Sequence, residues 1–283
     1  MTKMPPCPTS HSRAPSPTAL LERAAERVDH TLLRARLALA HRGVGAALAP
    51  GGGRARVGAY RVEYQDARSF LVEHRDIFTR RIYEFAPRSA APVIIDAGAC
   101  IGMATLFFKH RHPGARVLCL EPDPGCFAVL ERNVRANGLD GVRLLNAAVV
   151  KRPGPVAFQP DGADGGRVAE GTPRPTTVQG VPLSSLIDGP VDFLKVNIEG
   201  MELPALEDLE ETGALGQVRE MVIEYHGWAG EAPRLGRLLE LLERNGLVYL
   251  VHDFEADTCG ATKPPFAWSP TVTWFCLVYA RRP

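Results

Sequence analysis

From residue 93 onward the chain alternates between two hydrophobic rhythms. Short unbroken apolar runs recur, as in Val93-Ile94-Ile95, and each is followed by a stretch whose apolar positions repeat at helical spacing. Unbroken runs mark strands buried on both faces, the habit of a parallel sheet covered by helices. The pattern predicts strands over Val93–Ala97, Arg116–Leu120, Val142–Val149, Val191–Gly200 and Val218–His226. Asp123 is a natural cap for the helix after the second strand, with Pro124 at its first position and Asn137-Gly138 at its stop. Helices are also predicted from Met103, from Met201 to Thr212, and from Pro233 to Asn245 with Leu235, Leu238, Leu239 and Leu242 inward. Two last strands, Leu247–Phe254 and Thr271–Tyr279, have no helical period between them and so should pair antiparallel. The expected fold is α/β: a doubly wound, Rossmann-like sheet of seven strands with an antiparallel last strand.

Before residue 93 the pattern is weaker. Residues 1–18 are rich in Pro, Ser and Thr and predict a disordered tail. Residues 19–56 form an N-terminal helix and linker: Leu20, Ala24, Val28, Leu32, Ala35 and Leu39 recur at helical spacing, then Ala49-Pro50-Gly51-Gly52-Gly53 breaks it. Residues 57–92 read as a lead-in, an edge strand over Val57–Tyr64 and a helix over Ala67–Phe85, before the main domain at 93–283. Within that domain, residues 151–182 interrupt the rhythm with Gly and Pro. Val156–Gln159 and Thr176–Val178 are expected as short antiparallel strands around a loop able to act as a lid.

Composition narrows the function classes. A net charge of +1 offers no global field for nucleic acid or an anionic membrane. No apolar run approaches the roughly 18 residues of a spanning helix, and the N-terminal stretch lacks the apolar core of a secretory signal. Cys7, Cys100, Cys119, Cys126, Cys259 and Cys276 show no zinc spacing, so reduced thiols in a cytoplasmic protein are expected.

The chemistry concentrates at Asp96-Ala97-Gly98-Ala99-Cys100-Ile101-Gly102, where the first strand turns into a helix. Glycines allow a sharp turn and close approach of a ligand, and a helix N-terminus favours an anionic group. Glu121 ends the second strand, where an acid accepts hydrogen bonds from ribose hydroxyls. Pro122 and Asp123 follow it, and Asn146 and Ala147 end the third strand, beside the expected adenine. Asp96 is a candidate for the cofactor amino group or for turn amides. This is a nucleoside-cofactor pocket. An NAD-binding sheet ends in parallel strands joined by helices, whereas the helix-less final pair fits the S-adenosyl-L-methionine plan. An NAD-dependent oxidoreductase and a non-catalytic interaction protein are the alternatives.

Four passages together resemble the FkbM family of methyltransferases, across roughly residues 75 to 280: Val93–Gly102, Leu120–Asp123 with Asn133 downstream, Val191–Glu202 and Val222–His226. The resemblance implies an S-adenosylmethionine-dependent enzyme that methylates a hydroxyl, often on a natural product or sugar. Two positions depart from the family's habit, Cys100 for Asn and Asn197 for Asp. The second removes a negative charge near the presumed reaction centre.

Strand alternation places Phe193, Lys195, Asn197 and Glu199 on one face, and Val222, Glu224 and His226 on one face of the next strand. Lys195 should pair with Glu224 if the register allows, because a charge inside a helix-covered sheet needs a partner. The candidate catalytic set is His226, Glu199, Asn197 and Lys195, with His226 or Glu199 as general base. A Mg²⁺-assisted variant would gather Asn197, Glu199, His226, His252 and Asp253, but no ligand motif supports it and no metal is assigned. The expected partner is a small hydroxylated acceptor, with neither nucleic acid nor membrane; the N-terminal helix is expected to pack on the main domain, the alternative being a homodimer formed through it.

Overall fold

The computed structural model describes residues 24, 30–35, 51–160, 165–168, 175–228, 232, 234–252 and 273–283. Its centre is a seven-stranded sheet whose strands are β3 (Val93–Ala97), β4 (Arg116–Leu120), β5 (Val142–Leu145), β10 (Val191–Val196), β11 (Val218–Trp228), β12 (Val248–His252) and β13 (Thr273–Arg281). The spatial order is β12-β13-β11-β10-β3-β4-β5. β3, β4, β5, β10 and β11 run parallel, and β13 lies antiparallel between β11 and β12. The expected antiparallel end of the sheet is therefore present. This is the strand plan of class I methyltransferases.

Helices α2 (Met103–Arg111) and α3 (Pro124–Ala136) are joined on one face by the lead-in segment. On the other lie α4 (Glu202–Glu211) and α5 (Leu235–Arg244). Each face buries its own apolar cluster. Leu238, Leu241 and Leu242 of α5 are fully buried, worth roughly 1.5–3 kcal/mol apiece. Leu241 was not among the leucines expected inward. α3 starts as the sequence predicts: Asp123 accepts from the Gly125 and Cys126 amides, with Pro124 in the first turn.

The lead-in departs from expectation. The stretch read as one edge strand is a hairpin, β1 (Gly53–Val57) with β2 (Tyr60–Tyr64), so Gly53 is in a strand and not in a linker. Asn133 of α3 and Asn137, which caps its C-terminus, hold β2 by hydrogen bonds to the backbone of Glu63 and Arg61. Helix α1 (Ala67–Glu73), capped by Asp66, passes into a π-helical stretch over His74–Thr79 and stops short of Phe85. Arg81 adopts a left-handed conformation that ends the helical path, while Ile82, Tyr83 and Phe85 are buried from an irregular segment. Phe85 stacks on Phe193 of β10, centroids 4.5 Å apart, which ties this segment to the sheet. Of the expected N-terminal helix, residues 30–35 are helical; Leu33 is the buried position there and Leu32 is exposed.

The interruption after β5 forms a second, four-stranded sheet of β6 (Ala148–Val149), β7 (Gly154–Gln159), β8 (Arg167–Val168) and β9 (Thr176–Val181), in the order β6-β9-β7-β8. β7 and β9 pair antiparallel as expected. The strand predicted over Val142–Val149 is split at Asn146-Ala147, and its last residues belong to this smaller sheet. Residues 161–164, most of the loop read as a lid, and Asp253 lie outside the described residues. Among the described residues no helix is long and apolar enough to cross a membrane.

Candidate active site

A cavity of about 740 Å³ opens at the C-terminal ends of β3, β4, β10 and β11, where open α/β sheets bind ligands. The cofactor candidates Gly98, Ala99, Cys100, Glu121, Pro122, Asp123 and Ala147 line it, as do Lys195, Asn197, Glu199 and His226 of the catalytic set. Asp96, Ile101, Gly102 and Asn146 stand behind the wall.

Those four hold the wall in place. Asp96 is fully buried; its carboxylate accepts from the Thr105 hydroxyl at 2.7 Å and pairs with the Lys195 ammonium at 2.9 Å. Asp96 thus sits beneath the turn, paired within the sheet and not among the residues that line the cavity. The Ile101 carbonyl accepts from the Asn133 side chain at 2.8 Å. Gly102 opens α2 at φ +94°, and a Cβ there would stand 2.7 Å from Leu130. Asn146 donates to the carbonyls of Glu121 and Pro122 at 2.7 and 3.2 Å and so fixes the acid-bearing loop.

The turn itself satisfies its own amides. Gly98 and Ala99 both donate to the Leu120 carbonyl at 2.9 Å, and Cys100 donates to Glu121 Oε2 at 2.7 Å. Gly98 is obligatory for another reason: at φ +81° its Cβ would lie 1.7 Å from the Asn197 carbonyl, so the turn rests directly on the end of β10. Cys100 holds φ +47°, and its thiol is kept protonated by a hydrogen bond with Cys126 and by burial.

Glu121 is gripped at both oxygens, Oε2 by the Cys100 amide and Oε1 by the Asp123 amide at 2.8 Å. A carboxylate oxygen has two lone pairs, so each retains one to accept a further hydrogen bond from the cavity side. Burial pushes the Glu121 carboxyl up to about 7, against the two amides that favour its charge.

β10 ends at Val196, so the predicted alternation does not reach Asn197 and Glu199; both lie in the turn before α4. Glu199 adopts φ +52°, a costly conformation for a side-chain-bearing residue and one that clusters at functional sites. Gly200 follows at φ +100°, where a Cβ would stand 2.8 Å from the Trp228 ring. The turn aims Glu199 at His226, whose Nε2 is 3.2 Å from Glu199 and 3.9 Å from Glu224, while Nδ1 is 3.0 Å from Glu202. Glu202 is almost wholly buried and also accepts from the Gly200 amide, joining turn and histidine.

Burial alone would strip the proton from His226. The hydrogen bond to Glu202 and the charges of Glu199, Glu202 and Glu224 outweigh it and raise its pKa to about 10. At neutral pH that favours the imidazolium, with Nδ1 hydrogen-bonded to Glu202 and Nε2 facing Glu199. Of the two candidate bases, His226 and Glu199, a charged imidazole is the one with no free lone pair to take a proton.

Lys195 is set against Asp96 and donates to the Gly98 carbonyl at 2.5 Å. Burial works against its charge, but Asp96 wins and its pKa is raised. The expected Lys195–Glu224 pair is replaced because β10 registers Lys195 opposite Val222, whereas β3 places Asp96 directly beside it. Glu224 instead accepts from the Tyr83 hydroxyl at 3.3 Å. Glu202 was not among the sequence candidates, although it closes the fourth-strand motif and was visible there; Tyr83, which the sequence places just before β3 as a residue able to reach the pocket mouth, lines the cavity. His252 is on the exposed edge strand away from the cavity. Among the described residues no three His, Cys, Asp or Glu side chains form a metal-binding cluster.

Residues 96–249 match the Methyltransferase FkbM domain family. Methyltransferase sdnD of Sordaria araneosa is 29% identical over 205 residues, covering 59% of this chain and 79% of that one. The 31-O-demethyl-FK506 methyltransferase FkbM of Streptomyces tacrolimicus is 30% identical over 219 residues, covering 61% and 80%. Among solved structures, Methyltransferase FkbM from Methylobacillus flagellatus KT aligns at a TM-score of 0.46 and 17% identity, over 76% of this chain and 56% of that one. With the family domain spanning more than half its length, this chain belongs to the FkbM methyltransferase family.

Proposed function

We propose that the enzyme transfers a methyl group from S-adenosyl-L-methionine to a hydroxyl of a small acceptor, a natural product or a sugar. The observation that carries this reading is the meeting, in one cavity, of a strand-end acid held by two amides and a carboxylate–imidazolium cluster. Glu121 offers its remaining lone pairs to the ribose hydroxyls, and Ala147 flanks the adenine. The bound cofactor supplies an electrophilic methyl group on a sulfonium sulfur. Transfer to oxygen is an in-line displacement, so much of the rate comes from holding the acceptor at the right distance and angle.

The acceptor hydroxyl must lose its proton as the bond forms. Glu199 is the base in this reading. It lines the cavity, its backbone is held in a left-handed conformation, and the His226 imidazolium keeps its carboxylate oriented. The chemistry does not need an acid at position 197, which removes the reason for a non-catalytic protein. Family membership and the antiparallel β13 support this reading over the NAD alternative.

The test is calorimetry with S-adenosylhomocysteine and with NAD, followed by turnover on hydroxylated acceptors. Binding of NAD but not S-adenosylhomocysteine would sink the proposal. Glu199→Gln should lower kcat by about 10²–10⁴-fold and leave the S-adenosylhomocysteine dissociation constant unchanged; full activity would move the base elsewhere.

A further inference from the structure

The turn that bears Glu199 is gripped by a side chain that does not line the cavity. Glu202 is the first residue of α4, 1% exposed, where the positive end of the helix favours a carboxylate. It reaches back over the turn. Ile198 and Gly200 stand on either side of Glu199, and the amides of both donate to Glu202: Ile198 to Oε1 at 3.4 Å, Gly200 to Oε1 at 3.1 Å and to Oε2 at 3.0 Å. Oε1 is also hydrogen-bonded to His226 Nδ1 at 3.0 Å, which leaves Nε2 of the same ring 3.2 Å from Glu199.

One carboxylate therefore holds the main chain before and after Glu199 and the ring in front of its side chain. A φ of +52° at a residue such as Glu199 persists only where the surroundings over-determine it, and Glu202 provides that constraint from both sides. The ring is faced as well by Glu224 and the Trp228 indole of its own strand and by Phe275 of β13. Of these groups, Glu202 is the one hydrogen-bonded to Nδ1, so it sets which way Nε2 points. We propose that Glu202 is a positioning residue for methyl transfer, acting through Glu199 by fixing both its backbone and its imidazole partner. This assignment rests on the reading of Glu199 as the base.

The first test needs no acceptor. By NMR of the whole chain with isotope-labelled histidine and S-adenosylhomocysteine present, the His226 signals are identified by their loss in His226→Gln. They should show a slowly exchanging proton on Nδ1 and titrate near pH 10. A ring without a proton on Nδ1, or one titrating near pH 6.5, would overturn the assignment. Kinetics then measure what the hold contributes, with S-adenosylmethionine and the panel of hydroxylated acceptors. Glu202→Gln should lower kcat by about 10²-fold. Its S-adenosylhomocysteine dissociation constant should stay within about twofold of wild type, which certifies the fold. The alkaline fall of its kcat–pH profile should begin about 1–3 units lower, because His226 has lost the carboxylate that secures its proton. Glu202→Asp keeps the charge one methylene short and should recover part of kcat. A double variant with Glu199→Gln should be no slower than Glu199→Gln alone, since residues that act as a unit are not additive. Wild-type kcat in Glu202→Gln, an unmoved pH profile, or losses that multiply in the double variant would each remove Glu202 from this role and leave Glu199 as base. Full activity in Glu199→Gln, or no turnover with any acceptor, would overturn the base reading and this assignment with it.

Discussion

The two halves of the cavity are stabilised by different means. Around Gly98 and Glu121 the main chain does the work: amides of residues 98 to 100 and 123 are tied to Leu120 or to the Glu121 carboxylate. Around His226 the work is done by side-chain charge, with one imidazolium held among Glu199, Glu202 and Glu224. A backbone-built cradle has one geometry and tolerates changes in side chain, as Cys100 shows where the family usually has Asn. A charge-built cluster tolerates no loss of a partner, because each ion removed leaves another buried and uncompensated. Lys195 belongs to both, since it neutralises Asp96 and holds the Gly98 carbonyl.

That shared position predicts the largest effect. Lys195→Met should destabilise the protein by about 3–5 kcal/mol, and adding Asp96→Leu should recover part of it. Urea denaturation of the single and double variants checks this. A single variant within about 1 kcal/mol of wild type would mean the pair is not holding the two halves together.

Next comes pH. Glu121 has a folded pKa of about 7, raised from the carboxylate value of 4.5. The native state therefore binds the extra proton between those values, and stability falls as pH rises through that window by up to about 3 kcal/mol. His226 is raised from 6.5 to about 10, so its contribution is whole below pH 6.5 and disappears as pH climbs to 10. The cradle and the cluster should thus lose stability in adjacent windows. Glu121→Gln should flatten the first while weakening cofactor binding, and His226→Gln should flatten the second. Denaturation measured at pH 5, 7 and 9 separates them, and identical curves for both variants would refute the division.

The smallest effect concerns the brace behind the turn. Asn133 is buried and bonds the backbone of Glu63 and the Ile101 carbonyl. Asn133→Ala should cost about 1–3 kcal/mol by leaving those groups unpaired, with only a minor change in the S-adenosylhomocysteine dissociation constant. A large loss of affinity at unchanged stability would place Asn133 in the cradle itself.

Much of this was legible in the residues. The hydrophobic pattern located the described strands of the main sheet, and the missing helical period before the last strand implied the antiparallel β13. Glu121 was legible because a strand end fixes its position without reference to the rest of the fold. The boundaries were less so: β10 stops at Val196, since the turn that follows is set by Gly98 resting on the Asn197 carbonyl and by Glu202 reaching back to Gly200. The lead-in helix was overextended because Ile82, Tyr83 and Phe85 are apolar for packing against α2 and β10, not for helical amphipathicity.

What the sequence determined by itself was local: strand and helix periods, the capping of α3 by Asp123, the glycine turn, the acid at the end of β4, and the family. The tertiary structure decided which charges meet. Strand register placed Asp96 beside Lys195, and it withdrew Asp96 from the cavity. The turn after β10 brought Glu199 and Glu202 to His226, beside Glu224 of its own strand, and the three carboxylates favour its charged form. The protonation of a side chain depends on desolvation and on every charge within a few ångströms, and those distances exist only once the chain has folded.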